Sequence, residues 1–327
     1  MEDAIIEVRD LSHWYGDFRA VDSVEFSVKQ GEIFSFLGPN GAGKSTVINI
    51  LITLLSIQKG EAKIAGYDVA GEPEKVRSSI GVVFQETTLD RDMTVSEILE
   101  FHGRLYSMPN EVRRKRIDEL LTLVELEAKR DILTKHLSGG MKRRLEIARG
   151  LMTRPRILFL DEPTLGLDPQ TRLKTWDYIK GVNADGTTIF LTTHYMDEAD
   201  RLSDRISIID HGRIITSGSP AELKNRLGED VILLETTDDT GAIGLILGME
   251  QVRSVQKKGM GLQANIIGDG TRVIPGIIQR LLKAGIGITT VNLKKPSMDD
   301  VFVHYTGREI RDGGAAVAAG TQADSRR

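Results

Sequence analysis

The stretch IFSFLGPNGAGKSTVINILITLL, residues 33–55, decides the fold. Its opening run, Ile33–Leu37, is short and apolar, the pattern of a buried strand. Gly38-Pro39-Asn40-Gly41-Ala42-Gly43-Lys44-Ser45 then satisfies G-x-x-x-x-G-K-[ST] in full, with Thr46 following. From Thr46 to Leu55 the apolar spacing is helical. Strand, glycine-rich loop and helix in this order turn backbone N–H groups toward a phosphate and aim the positive end of a helix at it. Lys44 supplies a point charge for the terminal phosphates, and the Ser45 hydroxyl is a hard oxygen suited to Mg²⁺. The reading is a nucleotide site running from Gly38 to Thr46.

Downstream, Ile157–Leu160 is a second buried strand, and it ends in two carboxylates, Asp161 and Glu162. Adjacent residues at a strand end point to different sides. One can face a metal while the other faces an attacking water. The C-terminal ends of strands are also where open α/β sheets hold ligands. Apolar runs at 81–85, 157–160, 188–192 and 205–210 alternate with helical patterns, which argues for an α/β domain with a largely parallel sheet. The charged helical stretch at about 86–150 reads as a separate lobe. Its basic runs, Arg113–Arg116 and Lys142–Arg144, read first as solvated helix faces and second as a membrane-partner or lipid-headgroup contact. Ser219–Pro220 marks a shift. Beyond it the pattern gives strand 230–236, helix 240–248, strands 251–257 and 262–267, helix 271–284 and strand 287–293, a β-α-β-β-α-β order of the ferredoxin-like type.

Composition sets the outer limits. The chain has 327 residues, enough for about two domains. Lys plus Arg is 43 and Asp plus Glu is 47, a net charge of −4, so no whole-chain basic field attracts nucleic acid. Cysteine is absent, which excludes disulfides, thiolate metal sites and a Cys nucleophile. The N-terminus is acidic and lacks a signal-peptide pattern. The most apolar long stretch, 48–57, falls short of the roughly 20 residues a spanning helix needs. The end of the chain, 311–327, is small and polar and reads as a flexible tail.

The ordered motifs resemble those of one family, the ATP-binding cassette ATPases, over about residues 4–220. Leu137-Ser138-Gly139-Gly140-Met141 resembles the LSGGQ signature, with Met141 in place of the usual Gln. Gln85 resembles the Q-loop glutamine, Thr164–Asp168 the D-loop, His194 the switch histidine, and Tyr15 the aromatic residue that stacks on adenine. The resemblance implies ATP and Mg²⁺ as cofactors. It implies that Gly38 to Thr46 hold the phosphates, that Ser45, Gln85 and Asp161 surround the metal, and that Glu162 is the general base, with His194 in register beside it. It implies that Gly139 and Asp168 belong to the nucleotide-binding set, and that Ser138 and Gly140 bind the γ-phosphate of the nucleotide held by a second copy, in a head-to-tail dimer.

A single cassette, without long heptads or Cys pairs, is similar to the separate ATPase subunit of a transporter. The runs HYMDEAD at 194–200 and VFVHYTGREI at 301–310 are most like the daunorubicin-resistance type of drug exporter. The implied partner is a polytopic membrane permease, with the chain peripheral on the cytoplasmic face of the membrane and no nucleic acid bound. The competing reading is a soluble cassette ATPase acting on a nucleoprotein or assembly scaffold. The expected organisation is a cassette core at 1–220, an α+β accessory domain at 221–310, and the tail.

Overall fold

A computed structural model of the chain describes residues 4–227, 230–259 and 261–307. The tail at 311–327 lies outside the described residues. Two sheets build the core. The first is antiparallel. β1 (Ala4–Tyr15) and β2 (Phe18–Lys29) form a hairpin in which Ile6 faces Val28 and Val8 faces Phe26, and β4 (Lys59–Ile64) and β5 (Tyr67–Asp68) extend it. The second sheet has six strands, in the order β10-β9-β3-β8-β7-β6. These are β3 (Ile33–Leu37), β6 (Ile80–Val83), β7 (Ile157–Asp161), β8 (Thr188–Thr193), β9 (Arg205–Asp210) and β10 (Arg213–Gly218). All neighbours run parallel except β10, which turns back along β9.

β3 and β7 are buried at every position, as both-sided burial of a parallel strand requires. Between the sheets, Phe26 of β2 stacks on Phe34 at 5.4 Å and meets Phe36 and Phe190. The opposite face is covered by α6 (Pro169–Ala184), whose Trp176 and Ile179 join a core shared with α3 (Val95–Leu105), α4 (Asn110–Leu123) and α5 (Gly139–Gly150) of the helical lobe. A capping box starts α3: Thr94 Oγ1 accepts from Glu97 N–H while the Glu97 carboxylate accepts from Thr94 N–H. Met141 packs against the lobe core, which accounts for an apolar residue at the end of the LSGG run.

The lobe corrects one expectation. The basic runs are not simply solvated faces. Arg114 and Lys115 are exposed, but Arg113 is buried. It donates to Glu100 Oε2 at 2.7 Å and to the Met108 carbonyl at 2.7 Å. Arg116 donates to the Leu151 carbonyl, and Arg143 is buried outright. A helical period of 3.6 places one residue of any contiguous run on the inner face, and a guanidinium can sit there when main-chain carbonyls receive it.

After β10 the chain forms α8 (Pro220–Leu227) and then a separate four-stranded antiparallel sheet. Its strands are β11 (Asp230–Thr236), β12 (Val252–Lys258), β13 (Gly261–Ile266) and β14 (Ile288–Lys294). The order is β12-β13-β11-β14, so β13 lies between the two strands that α9 (Asp239–Leu247) connects, a split β-α-β unit. Ile232, Leu234, Leu262 and Ala264 bury one face of this sheet under α9 and α10 (Gly270–Lys283). The last described helix, α11 (Met298–Thr306), leaves this unit and returns to the core. Its Met298, Val301 and Phe302 are buried with Met196 and Ala199 of α7 (Met196–Leu202), Ile206 and Ile208 of β9, and Leu223 of α8. The composition shift at Ser219–Pro220 is the start of α8. The sheet unit is therefore held between two helices, α8 and α11, that both rest on the core.

Candidate active site

Four strand ends converge on the loop after β3. Gly43 sits at φ 103°, a region open to glycine, and an added Cβ would lie 2.6 Å from the Ala20 carbonyl oxygen. This close approach packs the loop against β2, and Gly38–Thr46 is the stretch expected to cradle phosphate. Ala42 is buried, whereas Asn40 and Gly41 face solvent. α1 (Lys44–Leu51) begins at Lys44, so its first N–H groups are aimed at the cradle. Lys44 is 5% exposed and donates from Nζ to the Gly38 carbonyl at 2.8 Å and to the Pro39 carbonyl at 3.1 Å. Burial pulls its pKa below the ordinary lysine value, opposed by Glu162 and Asp161.

β7 delivers the two carboxylates with different surroundings. Asp161 Oδ1 accepts from the Thr192 hydroxyl and from Ser45 Oγ at 3.4 Å. This pair of hard oxygens, one hydroxyl and one carboxylate, fits Mg²⁺ bound mainly by phosphates and water. Among the described residues, no group of three or more His, Cys, Asp or Glu forms an all-protein metal cage.

Glu162 lies past the strand end at φ 46°, an uncommon conformation for a residue with a side chain. Its N–H donates to the Thr192 carbonyl at 3.1 Å. Its carboxylate is held between two cationic or protonatable groups: Lys44 Nζ at 3.6 Å from Oε1 and His194 Nδ1 at 3.3 Å from Oε2. Burial pushes the Glu162 carboxyl up, but the His194 imidazole and the Lys44 charge outweigh it, leaving the group below its ordinary value. An ionised carboxylate with one oxygen toward the phosphate-loop lysine and the other toward a histidine can orient and polarise a water at a terminal phosphate.

The remaining candidates lie farther out. Tyr15 ends β1, half exposed, with His13 packed edge-on at 5.0 Å. Gln85 is exposed just past β6. Ser138 is the N-cap of α5, its hydroxyl accepting from Met141 N–H at 3.3 Å, and Gly139 has open space around it. Gly140 packs directly on α6: a Cβ there would stand 2.2 Å from Thr171 Cγ2. Asp168 caps α6, accepting from Thr171 N–H at 3.1 Å.

Three further participants are not announced by the sequence pattern. Thr192 binds Asp161 through its hydroxyl and Glu162 through its carbonyl. Glu198 is fully buried on α7, and its Oε1 accepts from Thr164 Oγ1 at 2.7 Å and Trp176 Nε1 at 2.9 Å, tying the 164–168 loop to the helix after His194. Arg143 grips the main chain at the end of β7. Thr192 and Glu198 lie within a few residues of His194, the one signal that could have raised them.

Comparisons with known proteins identify the family. The ABC transporter family matches residues 21–165, and the family "ATP-binding protein DrrA1-3-like, C-terminal domain" matches residues 218–306. The chain is 39% identical over 313 residues to the daunorubicin resistance ATP-binding protein DrrA3 of Streptomyces coeruleorubidus, covering 95% of this chain and 98% of the relative. This chain is an ATP-binding cassette ATPase. The chain is also 39% identical over 309 residues to the Nod factor export ATP-binding protein I of Ralstonia nicotianae, covering 94% of this chain and 95% of that one. Among solved structures, a dimeric ATP-binding cassette in a post-hydrolysis state with ADP and Pi superposes with a TM-score of 0.59 at 31% identity, covering 65% of this chain and 98% of the other. No helix among the described residues is long and apolar enough to cross a membrane.

Proposed function

We propose that this cassette ATPase is the energy-coupling subunit of an exporter, closing on a second copy of itself to hydrolyse ATP and driving a separate membrane permease. The observation that carries the reading is the clamp on Glu162. One carboxylate oxygen lies against Lys44 and the other against His194, at the end of the strand that also carries Asp161. Glu162 would take the proton of the attacking water as it adds to the γ-phosphorus, while the bond to the ADP β–γ bridging oxygen breaks. His194 would hold base and water in register. Lys44 and the N–H groups of the loop would bind the phosphate charge. Ser45, Asp161 and Gln85 would hold Mg²⁺, which would shield that charge when bound.

The N-terminus of α5, with Ser138 and Gly140, belongs to a different lobe from the phosphate loop. It is suited to the γ-phosphate of the partner's nucleotide, and a head-to-tail C2 dimer completes both sites. The related post-hydrolysis cassette structure is likewise dimeric, which supports a two-copy form. Tyr15 would stack on adenine. For the permease, the groove beside Gln85 offers a seat: Leu54, Phe84, His102, Tyr106 and Arg149 line it, and Leu54 and Tyr106 are exposed. Burial and the Arg149 charge push His102 down to about 4, so its ring is neutral at pH 7 and the wall stays largely apolar.

The named relatives are a daunorubicin resistance and a Nod factor export ATP-binding protein at the same 39% identity, which supports an exporter as the common reading. The reading as a scaffold- or nucleoprotein-directed ATPase is not favoured by relatives of this kind. The test is a tagged pull-down from gently solubilised native membranes. A polytopic membrane protein recovered in equal amount supports the proposal. Recovery only from the soluble fraction with nucleic acid or a scaffold protein refutes it.

A further inference from the structure

Arg143 lies on the helix that Ser138 caps, and all of its hydrogen-bonding directions are spent inside the protein. Nε donates to the Pro163 carbonyl at 2.7 Å, and Nη2 to the carbonyls of Asp161 and Glu162, both at 3.0 Å. Nη1 donates to the Phe84 carbonyl at 2.5 Å and to Glu146 Oε2 at 3.2 Å. Glu146, fully buried one turn farther along α5, uses its other oxygen to accept from Thr88 N–H at 2.9 Å. One ion pair on the signature helix therefore holds three successive carbonyls at the end of β7 and both sides of the segment that carries Gln85.

The consequence for Glu162 follows from its backbone. At φ 46° its side-chain direction depends on two peptide planes that glycine would more readily adopt. The plane before it is fixed by N–H donation to Thr192. The plane after it is fixed by Arg143. A planar guanidinium offers five donors in a rigid fork, and a lysine ammonium cannot reproduce that fan of contacts.

We propose that Arg143, braced by Glu146, is a positioning residue that sets the Glu162 carboxylate and the Gln85 segment in register with the signature helix. It rests on the reading of Glu162 as the general base. Engagement of the Ser138 end of α5 by a partner's nucleotide then reaches Glu162 through one side chain.

The test uses the full chain with MgATP. It measures steady-state hydrolysis per nucleotide-binding site and ATP affinity for Arg143→Lys, with Glu162→Gln as the control. A purely structural ion pair would lower the folded fraction and leave the rate per binding site unchanged. The positioning role predicts a loss of about thirtyfold or more in kcat with ATP affinity within about threefold of wild type. A wild-type kcat per site in Arg143→Lys, beside an inactive Glu162→Gln, overturns this proposal alone. Parallel loss of ATP affinity and kcat also overturns it. A wild-type rate in Glu162→Gln removes the reading beneath it. Should Arg143→Lys not fold, Glu146→Gln keeps the volume and removes the counter-charge. The same split is expected there, and an unchanged kcat overturns the proposal.

Discussion

Replacing Lys44 with alanine isolates the electrostatic part of nucleotide binding. The ammonium is buried and already rests on the Gly38 and Pro39 carbonyls, so it is held in place before any phosphate arrives. Binding therefore costs little further side-chain ordering. In the complex it would contact phosphate oxygens, and each charge-assisted hydrogen bond contributes about 1.5–3 kcal/mol. Two such bonds, less the partial loss of its 3.6 Å approach to Glu162, leave about 3 kcal/mol. That corresponds to about a hundredfold in Kd. The loop glycines and their N–H groups survive the substitution, so binding weakens without vanishing. The assay is equilibrium titration with a fluorescent ATP analogue at fixed Mg²⁺, on protein shown to be folded by its melting transition. A Kd within about threefold of wild type in folded Lys44→Ala would refute the assignment of the loop as the phosphate cradle.

Two further predictions concern the elements around the site. Phe302 is fully buried where α11 meets α7 and β9, so Phe302→Ala should destabilise the protein by about 3–5 kcal/mol, read from the denaturant midpoint. A shift under about 1 kcal/mol would show that α11 is not seated on the core. Glu198 is buried and its pKa is raised by desolvation, opposed by its contacts with Thr193, Thr164 and Trp176. From the ordinary value of 4.5 up to its raised folded value, the native protein holds a proton that the unfolded chain has released, so stability falls as pH rises through that window. Glu198→Gln retains the Oε1 acceptor and should flatten that slope in unfolding curves taken from about pH 5 to about pH 8. An unchanged slope would mean that Glu198 does not titrate there.

Much of this molecule is legible in its sequence because its chemistry is local. A phosphate loop needs glycines, a lysine and a hydroxyl at fixed spacing, and Gly38–Thr46 carries them between a strand and a helix that the apolar pattern already defines. Asp161 and Glu162 announce themselves as carboxylates ending a strand of otherwise apolar residues. The β-α-β-β-α-β order after residue 230 could be read from alternation alone, and the structure supplies the strand order that makes it a split unit.

What stayed hidden depends on residues far apart in the chain. Arg143 lies within a basic run whose composition matches a solvated helix face, and only its reach to carbonyls at 84 and 161–163 shows otherwise. Nor does the pattern at 298–306 announce that α11 recrosses to the core. Its capping box at Ser297 and Asp300 marks a helix start, but the partners of Met298, Val301 and Phe302 come from the other domain.

Glu162 is proposed as the base of a site that two copies must complete. Glu162→Gln preserves the side-chain volume and removes the proton acceptor. The most direct measurement is the molar mass of this variant with MgATP, by size-exclusion chromatography with light scattering, alongside its rate of phosphate release. Negligible hydrolysis is expected, with a stable dimer that appears with ATP and not with ADP. A variant that hydrolyses at the wild-type rate, or stays monomeric at saturating ATP, would contradict that assignment.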